Sequence, residues 1–223
     1  MTSTQLRPEN DRQSQPYDSR GQKTRRQILD VAVDVASVEG LEGLTIGRLA
    51  RELQMSKSGL FAHFGSKQDL QLATVEGARL IFEENVLASL EATEPGLPRL
   101  AAMLEAWIAY VEGSHFRGGC FFAAAGAEFD GRPGPVRDRL TVLIRYWWDA
   151  LQREAEAASS HSHLKKETDP PQLAFELHAF VQEANLTYQL FDDAAAFPRA
   201  REAVAQRLQR AATPSGRRLL GQQ

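Results

Sequence analysis

At 223 residues, with 43% hydrophobic and 25% charged content, the chain is long enough for a sizeable core and short for three domains, so a small domain joined to a larger one is expected. No apolar run approaches the roughly 20 residues of a membrane span, the opening MTSTQLRPENDRQSQPYDSRGQ is no secretory signal, and one cysteine, Cys120, excludes an intrachain disulfide, which together make the cytoplasm the expected location. The net charge of −3 does not by itself suggest nucleic acid, but residues 20–67 hold eight Lys or Arg against five Asp or Glu, giving +3 there and −6 elsewhere.

Residues 1–21 are polar, with Pro8, Pro16 and Gly21 as breakers, and read as a disordered arm. Arg20, with the nearby Lys23, Arg25 and Arg26, could meet phosphates or a minor groove; a solvated tail is the plainer alternative. From Thr24 to Glu39, Ile28, Val31, Ala32, Val35 and Ala36 keep the i, i+3, i+4, i+7 rhythm of a helix with one buried face, and Gly40 stops it.

Thr45 stands as an N-cap for a short helix with Ile46, Leu49, Ala50 and Leu53 inward. Gln54 and Met55 make the turn, and Ser56 caps the next helix, which points Leu60 and Phe64 to the core and leaves Lys57, Ser58, Gly59, Phe61, Ala62 and His63 on or near the outer side. Two short helices joined by a turn, the second with small and polar residues outward, fit a recognition helix for a major groove. Glycine disfavours a helix interior by about 0.8–1.0 kcal/mol relative to alanine, so Gly59 suggests close backbone approach, with packing on the first helix as the competing reason. Ser66-Lys67-Gln68-Asp69 reads as a capping box opening a fourth helix.

The run from Lys23 to Leu72, centred on TIGRLARELQMSKSGLFAHFGSKQDL, resembles the N-terminal domain of the TetR family of transcriptional regulators. The resemblance implies an all-α homodimer: a three-helix helix-turn-helix DNA-binding domain over 22–68 and a larger helical bundle over 69–212 for ligand binding and dimerisation. It places Thr45, Ser56, Lys57, Ser58, Gly59, Phe61, His63 and Lys67 at positions that face DNA. Lys57 is suited to guanine O6 or N7 or to phosphate, and Thr45, His63 and Lys67 to the backbone, although a structural role for His63 stays open. The family commonly has Tyr where Phe61 stands, so a phosphate hydrogen bond is lost there.

The fourth helix is expected to run to Leu90, where EATEPGLP breaks it, and Leu97–Gly113 makes the next one. GGCFF followed by EFDGRPGPVRD, which also resembles the body of one TetR subgroup, precedes a long helix from Pro135 toward Ser159. Met103, Trp107, Tyr110, Phe121, Phe122 and Trp147, with His178, are the candidates to line an effector pocket, with Tyr146 and Trp148 on the same helices; such aromatics also make ordinary core. His161 and His163 are two histidines in a polar loop and, even with His178, have no third ligand at set spacing, so neither a metal nor a cofactor is expected.

Pro170 and Pro171 open a helix through Phe191, and Ala194–Ala212 makes another; their surplus apolar surface suits a two-fold interface, while residues 213–223 read as a flexible tail. The function these elements support is a dimeric, ligand-responsive regulator, foremost a repressor of a palindromic operator released by a small apolar or aromatic effector. A redox-responsive regulator using Cys120 and a DNA-binding dimer without ligand are the alternatives. No spacing of nucleophile and base, and no phosphate-cradling glycine loop, supports an enzyme.

Overall fold

The structure, a computed structural model, describes residues 20–90 and 92–221; the expected arm up to residue 19 and the last two residues of the tail lie outside them. The described residues form α-helices in the order α1 (Arg20–Glu39), α2 (Ile46–Glu52), α3 (Lys57–Phe64), α4 (Lys67–Phe82), α5 (Leu97–Glu112), α6 (Phe121–Phe129), α7 (Pro135–Ser160), α8 (Pro170–Phe191), α9 (Ala196–Ala211) and α10 (Pro214–Leu220), with no strand among them. None of these helices is long and apolar enough to cross a membrane.

The head is built by local rules. Thr45, Ser56 and Ser66 each sit in extended backbone and accept a hydrogen bond from the N–H three residues on, which starts α2, α3 and α4 in turn. Leu49, Ala50, Leu60 and Phe64 are buried against Ile28, Ala32 and Val35 of α1, so the apolar faces predicted for these helices meet in one core. Gly77 of α4 lets that helix lie close on α1, since a Cβ there would stand 3.4 Å from Leu29 and Val33.

Two elements differ from expectation. The α-helix of α4 ends at Phe82 rather than running to Leu90; a π-turn over Glu83–Leu87 and a 3₁₀ turn over Ala88–Leu90 carry the chain on. Asn85 Nδ2 donates to the Ile81 carbonyl at 2.7 Å, a side-chain bond that competes with the regular ladder. The tail is not loose over its first half: Thr213 caps α10, Pro214 occupies its first turn, and Gly216 packs so closely on the His163 carbonyl that a Cβ would lie 2.3 Å from it. A Thr-Pro start is a helix signal, and the expectation of a flexible tail did not take it into account.

The body wraps α5, α7 and α8 around buried Leu100, Leu104, Ile108, Leu151, Leu173 and Leu177, and α9 lies along α8. Head and body are also joined directly. Glu128 of α6 accepts from the backbone N–H of Leu41 at 2.6 Å and of Glu42 at 2.9 Å, Arg117 N–H donates to Asp34 at 3.1 Å, and Gly118 N–H donates to Ser37 Oγ at 3.1 Å.

Candidate nucleic-acid interface and effector cavity

On α3, Ser56, Lys57, Ser58 and Phe61 are exposed, while Gly59 and His63 are half-buried. Phe61 shows 57% of its surface to solvent, so its ring is not spent on the core. Lys57 makes no ion pair among the described residues, and its stem runs past Gly47 of α2. Thr45 and Ser56 use their hydroxyls as caps, accepting at 3.0 and 3.1 Å, and so fix where α2 and α3 begin. A Cβ on Gly59 would meet Ser56 Oγ at 3.1 Å and nothing of α1, so packing on the first helix does not explain the glycine; clearance at the cap and an open outer face do.

Some of the basic residues are already engaged. Arg25 donates to the His63 carbonyl at 2.7 Å and lies 4.6 Å over the Phe64 ring, so it holds the C-terminal end of α3. Arg26 pairs with Glu84 at 3.1 Å and Lys67 with Glu42 at 2.6 Å, both at the surface. A phosphate at Lys67 would displace Glu42, whose carboxyl that lysine and Gln71 hold below its ordinary range. His63, half-buried, has its ring 6.2 Å from that of Phe64.

The body holds a cavity of about 230 Å³ between the end of α4, the π-turn, α5, α6, α7 and α8. Of the seven predicted pocket residues, Trp107, Phe122, Trp147 and His178 line it. Met103, Tyr110 and Phe121 do not: they are buried in the core at 3%, 4% and 1% exposure, with Tyr110 stacked on His115. Arg79 and Phe82 of α4 and Glu83 and Leu87 of the π-turn also line it and were not among the expected pocket residues, which were drawn from the aromatic helices after residue 97.

The aromatic wall is a set of edge-on contacts, Phe82 with Trp147 at 5.0 Å and Trp147 with Trp107 at 5.4 Å. His178 is 4.2 Å from Trp148 and 4.9 Å from Trp107, and burial lowers its pKa to about 4, so it is neutral near pH 7. Cys120 also lines the cavity, but burial pushes its thiol up, which makes it a poor nucleophile and gives the redox alternative no support. Its backbone N–H donates to Asn185 Oδ1 at 3.0 Å, and Gly119, in the left-handed region at φ +76°, packs on the same amide; this accounts structurally for the GGC sequence.

On α8, Phe175, Leu186, Leu190 and Phe191 are 50–74% exposed, the largest run of bare apolar side chains on one described element.

Residues 28–74 match the family described as bacterial regulatory proteins, tetR family, and residues 96–204 match the tetracyclin repressor-like C-terminal domain. A nucleoid occlusion factor, SlmA, of Mannheimia succiniciproducens is 29% identical over 107 residues, 47% of this chain and 50% of that protein. The regulator HbdR of Aromatoleum sp. strain CIB is 26% identical over 91 residues, 41% and 40% of the two chains. The chain thus spans half or less of the length of these curated relatives. Among solved structures, a TetR transcriptional regulator from Chloroflexus aurantiacus superposes with a TM-score of 0.78 at 22% identity, over 86% of this chain and 97% of that one. AibR, solved with isovaleryl coenzyme A and operator DNA, superposes with a TM-score of 0.64 at 24% identity, over 80% and 94%. At these identities the structural likeness is one of fold.

Proposed function

Since the chain belongs to the TetR family of bacterial regulatory proteins, we propose that it is a homodimeric DNA-binding transcriptional regulator, a repressor whose operator is released by a small aromatic effector held in the α4–α8 cavity. The observation that carries this reading is the outer face of α3, where Lys57, Ser58 and Phe61 stand exposed on a helix fixed by its Ser56 cap. In a two-fold dimer through α8 and α9, two such helices about 34–36 Å apart would enter successive major grooves of a palindrome. Lys57 and the backbone around Gly59 approach the bases; Thr45, His63 and Lys67 face the phosphates. AibR, whose structure contains both a ligand and operator DNA, supports a fold in which both partners are accommodated.

Effector binding would act through differential affinity. A ligand that prefers the DNA-incompatible state ~100-fold shifts the balance by about 2.7 kcal/mol. Phe82, Glu83 and Leu87 line the cavity at the end of the helix that carries the head, and Phe122, Ala123 and Gly126 line it from α6, which holds the α1–α2 loop through Glu128. Occupancy therefore bears on the head from two sides. The test is a gel-shift titration of palindromes from the promoter region of the chain's own gene at low and moderate salt. Saturable binding that weakens with salt is expected; no retardation of any palindrome at low salt overturns the reading.

A further inference from the structure

Resting on the reading of the cavity as an effector site, we propose that His178 and Gln182 of α8 are its polar recognition pair and select an uncharged hydroxylated aromatic, a phenol or naphthol, whose O–H donates to the His178 imidazole and whose oxygen accepts from the Gln182 amide. Five polar side chains are buried among the described residues: Ser37, Gln71, Thr74 and Asn185 each make a hydrogen bond within the chain, and His178, 8% exposed, makes none. Its ring nitrogens are not sealed; the sealed side-chain nitrogens without a partner are those of Trp107, Trp147 and His163. Trp148 stacks on its face at 4.2 Å and Trp107 leans on the ring at 4.9 Å, so the imidazole meets the cavity by its edge, where any two neighbouring atoms beyond Cγ include a nitrogen. Buried polar groups are almost always hydrogen-bonded, so an unpaired one on a cavity wall points to a partner carried by the cavity's occupant. Gln182, half-buried one helical turn further along α8, lines the same cavity, and its amide likewise makes no hydrogen bond among the described residues.

A hydroxyl matches this pair better than an ion does. Neutral imidazole carries its proton on either nitrogen, so the one that faces the cavity can accept, while the amide of Gln182 offers a donor to the same oxygen. Burial keeps His178 neutral near pH 7, which leaves that acceptor available and supplies no positive charge. Arg79 is the lining cation, but Glu76 and Glu83 hold it at 2.9 and 2.5 Å. A ligand carboxylate would have to displace one of these acids, and a ligand ammonium would have to displace Arg79 from Glu83, so either ion gives up water without a free counter-charge. Phe82, Leu87, Phe122, Leu143, Ile144 and Trp147 make the rest of the wall apolar, and a volume of about 230 Å³ bounds the ligand to about two rings.

The test is calorimetric titration of the full chain with 2-naphthol, 2-methoxynaphthalene and 2-naphthoate. The methyl ether keeps the oxygen but has no proton to donate. The naphthol is expected to bind about tenfold tighter than the ether, and the naphthoate more weakly than both. His178→Phe, which keeps a ring against Trp148, should abolish the advantage of the naphthol over the ether, and Gln182→Leu should reduce it about threefold. Equal affinity for naphthol and ether in the parent, an advantage that survives in His178→Phe, tighter binding of the naphthoate, or no binding up to the solubility limit overturns the proposal. If His178→Phe loses the ether as well, Gln182→Leu decides: a reduced advantage supports the pair and an undiminished one overturns it. The same probes in an operator-release assay separate the two ideas. A naphthol preference without release refutes the effector reading alone, and release by the ether without a naphthol preference refutes the proposed selectivity alone.

Discussion

Lys57 and Phe61 are the two large side chains on α3 that the fold leaves exposed, and the exposure of Lys57 has a measurable consequence. Lys57→Ala is expected to weaken operator binding by about 1–3 kcal/mol if the ammonium reads a base, with relaxed discrimination at one position; if it meets only phosphate, the loss is uniform across sequences and the salt slope falls by about one. Fluorescence anisotropy across operator variants and salt concentrations distinguishes the two. In the body, His178 links stability to pH. Its folded pKa of about 4 lies below the ordinary 6.5, so the unfolded chain takes up a proton between those values and the folded one does not. Stability is full above about pH 6.5 and is lost as pH falls toward 4, by on the order of 3 kcal/mol. Its ring lies against those of Trp107 and Trp148, and burial is the one cause of the shift, with no acid opposing it. Urea unfolding from pH 7.5 to 4.5 should show this slope, and His178→Asn should flatten it relative to the parent; an unchanged slope contradicts the assignment.

Among the elements, α6 is the one whose importance is least visible in the sequence. Gly118, just before it, lies against α1 so tightly that a Cβ would stand 1.9 Å from the Ser37 carbonyl oxygen, which is backbone and cannot rotate away. Gly118→Ala should cost about 1–3 kcal/mol in denaturant unfolding through overpacking. Glu128→Ala, at the other end of the helix, should cost about 1–2 kcal/mol and raise amide exchange at Leu41 and Glu42 while leaving α3 protected. The caps at Thr45, Ser56 and Ser66 and the core positions Leu49, Leu60 and Phe64 were legible because they depend on spacing within a few residues. The Glu128 clamp joins residues 86 and 87 apart in the chain, and the cavity depends on a π-turn, so neither leaves a local periodic mark. The same limit explains why Met103, Tyr110 and Phe121 resembled pocket residues: helical spacing distinguishes a buried face from an exposed one but not core from cavity wall.

For the whole molecule, the bare apolar face of α8 predicts the assembly state. Leu190→Glu, at a position 66% exposed in the single chain, should leave the fold intact, shift light scattering in solution from dimer to monomer mass, and reduce a full palindrome to the affinity of a half-site. A monomeric parent chain would remove the basis for this prediction. The three ties from residues 117, 118 and 128 to α1 and the loop after it also bear on how such proteins can be recombined. A head grafted onto this body at residue 68 would inherit a seat cut for Ser37, Asp34 and the Leu41–Glu42 amides. A chimera on this body should keep the parent's stability only when the donor head brings a matching hydroxyl, carboxylate and pair of amides, whatever recognition helix it carries.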